Sequence, residues 1–182
     1  MKRLVAALGV LWASVVVSGQ VPYQRLVDAA KDPGSWLTYS GGYFSHRHST
    51  LDQITTANVA GLRPVWVYQV AGQGQMETSA IVADGLMYVT EPPTTVTALD
   101  PRNGRPVWSY VRPIPSNLRN IGFPITNRGV AILDDKVFVG TLDGALVALD
   151  AATGAVRWES HVGDNETGHS LTMAPLAVKD KV

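Results

Sequence analysis

From Asp84 onward, short apolar runs alternate with turn residues, and the same order of runs occurs twice. Leu86-Met87-Tyr88-Val89 and Val137-Phe138-Val139 are apolar β-formers bounded by Asp-Gly or Asp-Lys turns. Val96–Leu99 and Ala145–Leu149 are the next runs. Runs this short, closed by Gly or Asp, read as strands. Asp143-Gly144 lies between two of them and reads as a tight hairpin turn, with Gly taking the positive φ.

The pattern has a fixed period. Ala98-Leu99-Asp100-Pro101-Arg102-Asn103-Gly104-Arg105-Pro106-Val107-Trp108 returns as Ala148-Leu149-Asp150-Ala151-Ala152-Thr153-Gly154-Ala155-Val156-Arg157-Trp158, an interval of 50 residues at both ends. The flanks repeat too, with Asp84-Gly85 ahead of the first copy and Asp135-Lys136 ahead of the second. A unit of roughly 40–50 residues with about four short strands is the signature of a propeller blade. In Asp-x-x-Asn/Thr-Gly the Asp side chain can accept from the amides ahead of it, and Gly104 and Gly154 supply the left-handed position. Trp108 and Trp158 then open an outer strand, where a flat ring can sit between adjacent blades with its N–H on a carbonyl. Two unrelated hairpins ending in Trp would leave the shared spacing unexplained.

Partial copies frame these two. Arg63-Pro64-Val65-Trp66-Val67-Tyr68 resembles Arg105–Tyr110, and Asp180-Lys181-Val182 echoes Asp135-Lys136-Val137. A closed ring needs at least about four blades. A little over two are present, so the chain reads as part of a larger propeller or as one that needs partners to close. The fold class is all-β, a partial β-propeller with a short N-terminal helix.

The two ends of the chain differ from the repeats. Lys2-Arg3, the apolar stretch Leu4–Val17 and the small residues Val17-Ser18-Gly19 read as a cleaved signal peptide over 1–19. The stretch is shorter than the ~18–20 residues needed to span a bilayer, so no stable membrane span is expected after cleavage. With no cysteine there is neither a disulfide nor a thiol for lipid attachment, and a periplasmic or secreted protein is the simplest expectation. Residues 20–60 form a lead-in, with a helix over Tyr23–Ala30 ended by Asp32-Pro33 and one helical turn at Thr56–Ala60. The blades occupy 61–182. Fifteen basic and fifteen acidic residues give no net charge, so nothing steers the chain to nucleic acid.

Trp36-Leu-Thr-Tyr39-Ser-Gly41-Gly-Tyr43, then Arg47-His-Ser49-Thr-Leu51-Asp-Gln53-Ile54, Asn58-Val59 and Leu62-Arg-Pro-Val-Trp66 together resemble the N-terminal signature of the pyrroloquinoline quinone (PQQ)-dependent alcohol dehydrogenases, the methanol and ethanol dehydrogenase family. The resemblance runs from about Asp32 to the last residue, and the Trp repeats are similar to that family's tryptophan-docking motifs. It implies an eight-bladed propeller with PQQ and a calcium-like ion in the central funnel. It also implies an alcohol or sugar substrate, and a cytochrome c or a quinone as electron acceptor. Three positions carry over as cofactor-binding: Glu77 in Met76–Ala80 beside PQQ, Arg128 in Asn127-Arg128-Gly129 near the quinone oxygens, and Thr172 in Ser170–Pro175 on a PQQ carboxylate.

The chemistry suits these roles. A fixed guanidinium meets negative charge on the quinone oxygens with donors already oriented. Thr172 can donate to a carboxylate. Glu77 beside an anionic carboxylate would share a proton, since two like charges so close raise one pKa. Without the resemblance, Glu77 reads as a solvated edge charge and Arg128 as a turn residue or a member of a surface ion pair.

Two departures stand out. Gly122-Phe123-Pro124 occupies the place of the family's adjacent cysteines, and Phe123 reads either as a ring covering one PQQ face instead or as a core residue. The family's metal ligands, catalytic aspartate and tryptophan floor would all follow Val182, so no catalytic residue and no metal ligand is assigned here. The chain alone is expected neither to bind PQQ well nor to turn over. His46 and His48 alternate but lack a third ligand nearby and read as surface histidines. The competing function is a non-catalytic propeller acting as a binding or scaffold module. Such a module gives no reason for Glu77, Arg128 and Thr172 to match.

Overall fold

The structure, a computed structural model, describes residues 20–72, 74–116, 118 and 125–182. The signal-peptide reading and Gly122-Phe123-Pro124 lie outside the described residues.

Two four-stranded antiparallel sheets carry the repeats. The first comprises β1 (Ile81–Ala83), β2 (Leu86–Glu91), β3 (Thr95–Leu99) and β4 (Pro106–Val111), hydrogen-bonded in chain order. The second comprises β5 (Ala131–Leu133), β6 (Lys136–Gly140), β7 (Ala145–Asp150) and β8 (Val156–His161), in the same order. The register repeats as well. Tyr88 pairs with Ala98 and Ala98 with Trp108, while Phe138 pairs with Ala148 and Ala148 with Trp158. Both sheets carry an irregularity at the same place, between Ala98 and Leu99 and between Ala148 and Leu149. The three-residue strands β1 and β5 complete the blades. They are too short to leave a period in the sequence, and burial of Ile81, Ala83 and Ala131–Leu133 holds them.

The first turn of each blade aligns one residue away from the sequence reading. Asp84 corresponds to Asp134 and not to Asp135, because these two share the left-handed turn position, at φ 50° and 52°. The hairpin needs that backbone conformation, and Asp tolerates it. Lys179 takes it again at φ 57°, between the bridged pair Val178 and Lys181. A third hairpin of the same kind therefore stands at residues 178–181.

The Asp-x-x-x-Gly turns form as the pattern requires. Asp100 accepts from the Arg102 amide at 2.9 Å, and Asp150 from the Ala152 and Thr153 amides at 3.0 and 2.8 Å. Gly104 and Gly154 sit at φ 70° and 73°. The tryptophans dock on the following unit. Trp66 donates its indole N–H to the Pro101 carbonyl at 2.9 Å, and Trp108 to the Ala151 carbonyl at 3.1 Å. The segment around Trp66 has no strand partner among the described residues, so its docking is by side chain and not by ladder.

The lead-in crosses the free edges of both sheets. Val21 exchanges backbone hydrogen bonds with Asp134, and Trp36 does so with Val82 of β1. Leu26 and Leu37 are buried in the same core as Val137, Val139 and Val147. The helix is shorter than Tyr23–Ala30. It is α-helical over Tyr23–Val27 (α1) and tightens to a 3-10 turn at Ala29–Lys31, which uses the last carbonyls before Pro33. The turn foreseen at Thr56–Ala60 is a 3-10 turn at Val59–Gly61. The Asn58 side chain braces it, accepting from Thr55 N and donating to Gln53 O. Among the described residues no helix is long and apolar enough to cross a membrane.

Candidate functional site

Three connecting segments meet where the first strand of each unit begins. Glu77 precedes β1, Arg128 precedes β5 and Thr172 precedes the third hairpin. Backbone bonds tie the segments together, with Ser79 N on the Arg128 carbonyl at 3.0 Å and Arg128 N on the Thr172 carbonyl at 2.9 Å. Consecutive units of one repeat thus bring residues 51 and 44 positions apart to one place.

The side chains converge on Arg128. Its Nε lies 2.8 Å from Glu77 Oε2, and its Nη1 donates to Thr172 Oγ1 at 2.8 Å. The three residues named from the sequence are therefore one cluster with the guanidinium at its centre. The Arg128 side chain is 34% exposed and that of Glu77 26%. The cluster is half-buried and open on one side. Glu77 has a cationic partner, so its carboxylate enters any anion site already paired. Gly129 follows at φ 136°, where an added Cβ would stand 3.1 Å from the Ser79 carbonyl. Gly129 is thus a steric requirement of the crossing as well as part of the motif.

A cleft of about 270 Å³ opens beside the cluster. Tyr39, Ser40 and Tyr43 of the lead-in line one wall, and Arg128, Met173 and Pro175 the other. Among the described residues Arg128 is its only charged lining residue, so these residues offer one cation and several hydroxyls. The lead-in contribution was not legible in the sequence. The segment Tyr39–Ser45 belongs to the signature that carries the resemblance, but nothing in its pattern ties it to Arg128.

The other sequence candidates stand elsewhere. His46 stacks against Phe44 with ring centroids 5.7 Å apart. Among the described residues no group of three or more His, Asp or Glu is placed to hold a metal ion.

Comparison with known proteins decides the family. The family model for the β-propeller domain of glucose/ethanol/alcohol dehydrogenases that use PQQ matches residues 36–165. The chain belongs to this family. Among the relatives of this PQQ dehydrogenase-type propeller is a 1-butanol dehydrogenase (quinone) of Thauera butanivorans. It is 39% identical over 178 residues, which cover 97% of this chain and 28% of that protein. A 1-butanol dehydrogenase (cytochrome c) of the same organism is 42% identical over 151 residues, covering 82% and 22%. A solved europium-containing methanol dehydrogenase superposes with a TM-score of 0.81 at 35% identity, over 86% of this chain and 28% of that one. The chain thus spans less than a third of each of these proteins. The partial propeller read from the Trp repeats is the architecture of this family.

Proposed function

We propose that this chain is the N-terminal part of an exported PQQ-dependent dehydrogenase that oxidises an alcohol in the periplasm and passes electrons to a cytochrome c or a quinone. The observation that carries the reading is the convergence of Glu77, Arg128 and Thr172, one from each of three consecutive units, on a single half-buried guanidinium. Residues 20–60 are then the lead-in and 61–182 the first blades. The relatives' names support an alcohol substrate and both classes of acceptor. No residue of this chain is assigned to a metal. A calcium-like or lanthanide ion would be held by other parts of the protein.

The donor set fits PQQ, an ortho-quinone with three carboxylates. Arg128 supplies a fixed positive charge, Thr172 a hydroxyl and the cleft a row of further hydroxyls. When bound, PQQ supplies the two-electron acceptor for the alcohol. The chain's own residues bind and orient. The guanidinium holds an anionic oxygen with donors already aimed, so little reorganisation accompanies charge development. Glu77 holds the guanidinium through Nε and Thr172 through Nη1, on a residue that lines the cleft.

The test uses the protein made from its complete reading frame, reconstituted with PQQ and calcium or a lanthanide. It is expected to oxidise 1-butanol with an artificial electron acceptor, and Arg128→Ala is expected to weaken PQQ binding by about tenfold or more. No PQQ-dependent turnover across a panel of alcohols and sugars would overturn the reading in favour of a binding propeller.

A further inference from the structure

Asn127 is buried, 2% exposed, next to the residue at the centre of the cluster. Its side chain uses both ends. Nδ2 donates to the Gly140 carbonyl at 2.9 Å, and Oδ1 accepts from the Gly129 amide at 3.0 Å. Its own carbonyl accepts from the buried Thr90 hydroxyl at 3.0 Å. Thr90 is fixed in turn, since its backbone N–H donates to Thr78 Oγ1 at 3.0 Å.

The consequence appears when the two peptide groups flanking Arg128 Cα are taken together. In the first, the Asn127 carbonyl is held by Thr90 and the Arg128 N–H by the Thr172 carbonyl. In the second, the Arg128 carbonyl is held by Ser79 N–H and the Gly129 N–H by Asn127 Oδ1. Every backbone donor and acceptor on both sides of Arg128 is satisfied, and the partners come from other segments or from Asn127 itself. Both peptide planes are fixed, and with them the direction of the Arg128 Cα–Cβ bond. The amide serves both needs through separate atoms, its oxygen accepting from Gly129 and its nitrogen donating to Gly140, whereas an ionised carboxylate only accepts and could not hold Gly140.

We infer that Asn127 is a positioning residue, which with Thr90 aims the Arg128 guanidinium at the anionic oxygens of the cofactor. The inference rests on the reading of Arg128 as a cofactor contact. Burial makes the bracing durable, because opening any of these bonds would leave an unpaired polar group away from water.

A double-mutant cycle on the intact apoprotein tests it, read as the PQQ dissociation constant from tryptophan fluorescence. Asn127→Ala is expected to weaken binding about tenfold when Arg128 is present and by less than about twofold in an Arg128→Ala background. Thr90→Val, which leaves the amide in place, is expected to give about threefold and to lose that effect in the same background. It carries the cycle if Asn127→Ala does not fold. Equal weakening in both backgrounds would mean a general structural role and would overturn the inference while Arg128 kept its own. No effect of Asn127→Ala or Thr90→Val beside a strong effect of Arg128→Ala would overturn it too. No effect of Arg128→Ala would remove the cofactor reading and the inference with it.

Discussion

Gly154 and Gly85 take nearly the same backbone conformation for different reasons. Both are left-handed, at φ 73° and 78°. An added Cβ at Gly85 would meet open space, whereas at Gly154 it would stand 2.5 Å from the Trp108 ring. Gly104 stands in the same relation to Trp66, at 2.4 Å. The tryptophan of one unit therefore lies flat on the glycine of the next, and the repeated Gly serves turn and interface together. Gly154→Ala is expected to cost more than Gly85→Ala. Backbone strain contributes roughly 1–3 kcal/mol at either site, and only Gly154 adds displacement of the indole. The midpoints of chemical denaturation for the two variants check this. Equal losses would mean that the ring moves aside freely.

Between elements, one arginine clamps the two blades. Arg112 follows β4 and reaches Asp143 in the β6–β7 turn at 2.5 Å and Glu159 of β8 at 2.8 Å. Its hydrogen bonds hold the Glu159 carboxyl below the usual range. Burial pushes the Asp143 carboxyl up, but bonds from Arg112 and Thr141 outweigh it and leave it below the usual range as well. Both folded values lie below the unfolded ones. The stabilisation is therefore present at neutral pH and is lost as pH falls through the lowered folded values. Arg112→Ala is expected to cost about 3 kcal/mol at pH 7, as for one partner of a largely buried pair. The difference from the parent should shrink progressively below about pH 4. Denaturation curves at pH 7 and in that acidic range measure it, and a constant difference would show that the clamp acts through packing alone.

Across the whole molecule, burial is graded from the lead-in side outward. Val137, Val139, Val147 and Leu149 in β6 and β7 are fully buried, while every residue of β8 is exposed. Amide hydrogen exchange is expected to be slowest in β6 and β7 and fastest in β8, since exposed ladders open at low cost. Uniform protection would mean that the outer strand is covered in solution. The blades were legible in the sequence because each is local. The 50-residue period and the Asp-x-x-x-Gly turns follow from turn chemistry and short-range strand pairing, and the tryptophans recur at a fixed place in each unit. The resemblance to the PQQ dehydrogenases located Glu77, Arg128 and Thr172, yet nothing in their spacing said that they touch. Contact between them depends on how consecutive units stand side by side, which is a long-range property. The same holds for β1 and β5, too short to show a period, and for the lead-in, whose Trp36 and Val21 edges pair with residues 46 and 113 positions away. The sequence by itself thus determined the repeating unit and its family. Only the tertiary structure decided that Asn127 braces Arg128, because the Gly140 carbonyl that holds its amide lies in β6, and the Thr90 and Thr172 groups that complete the bracing belong to other units.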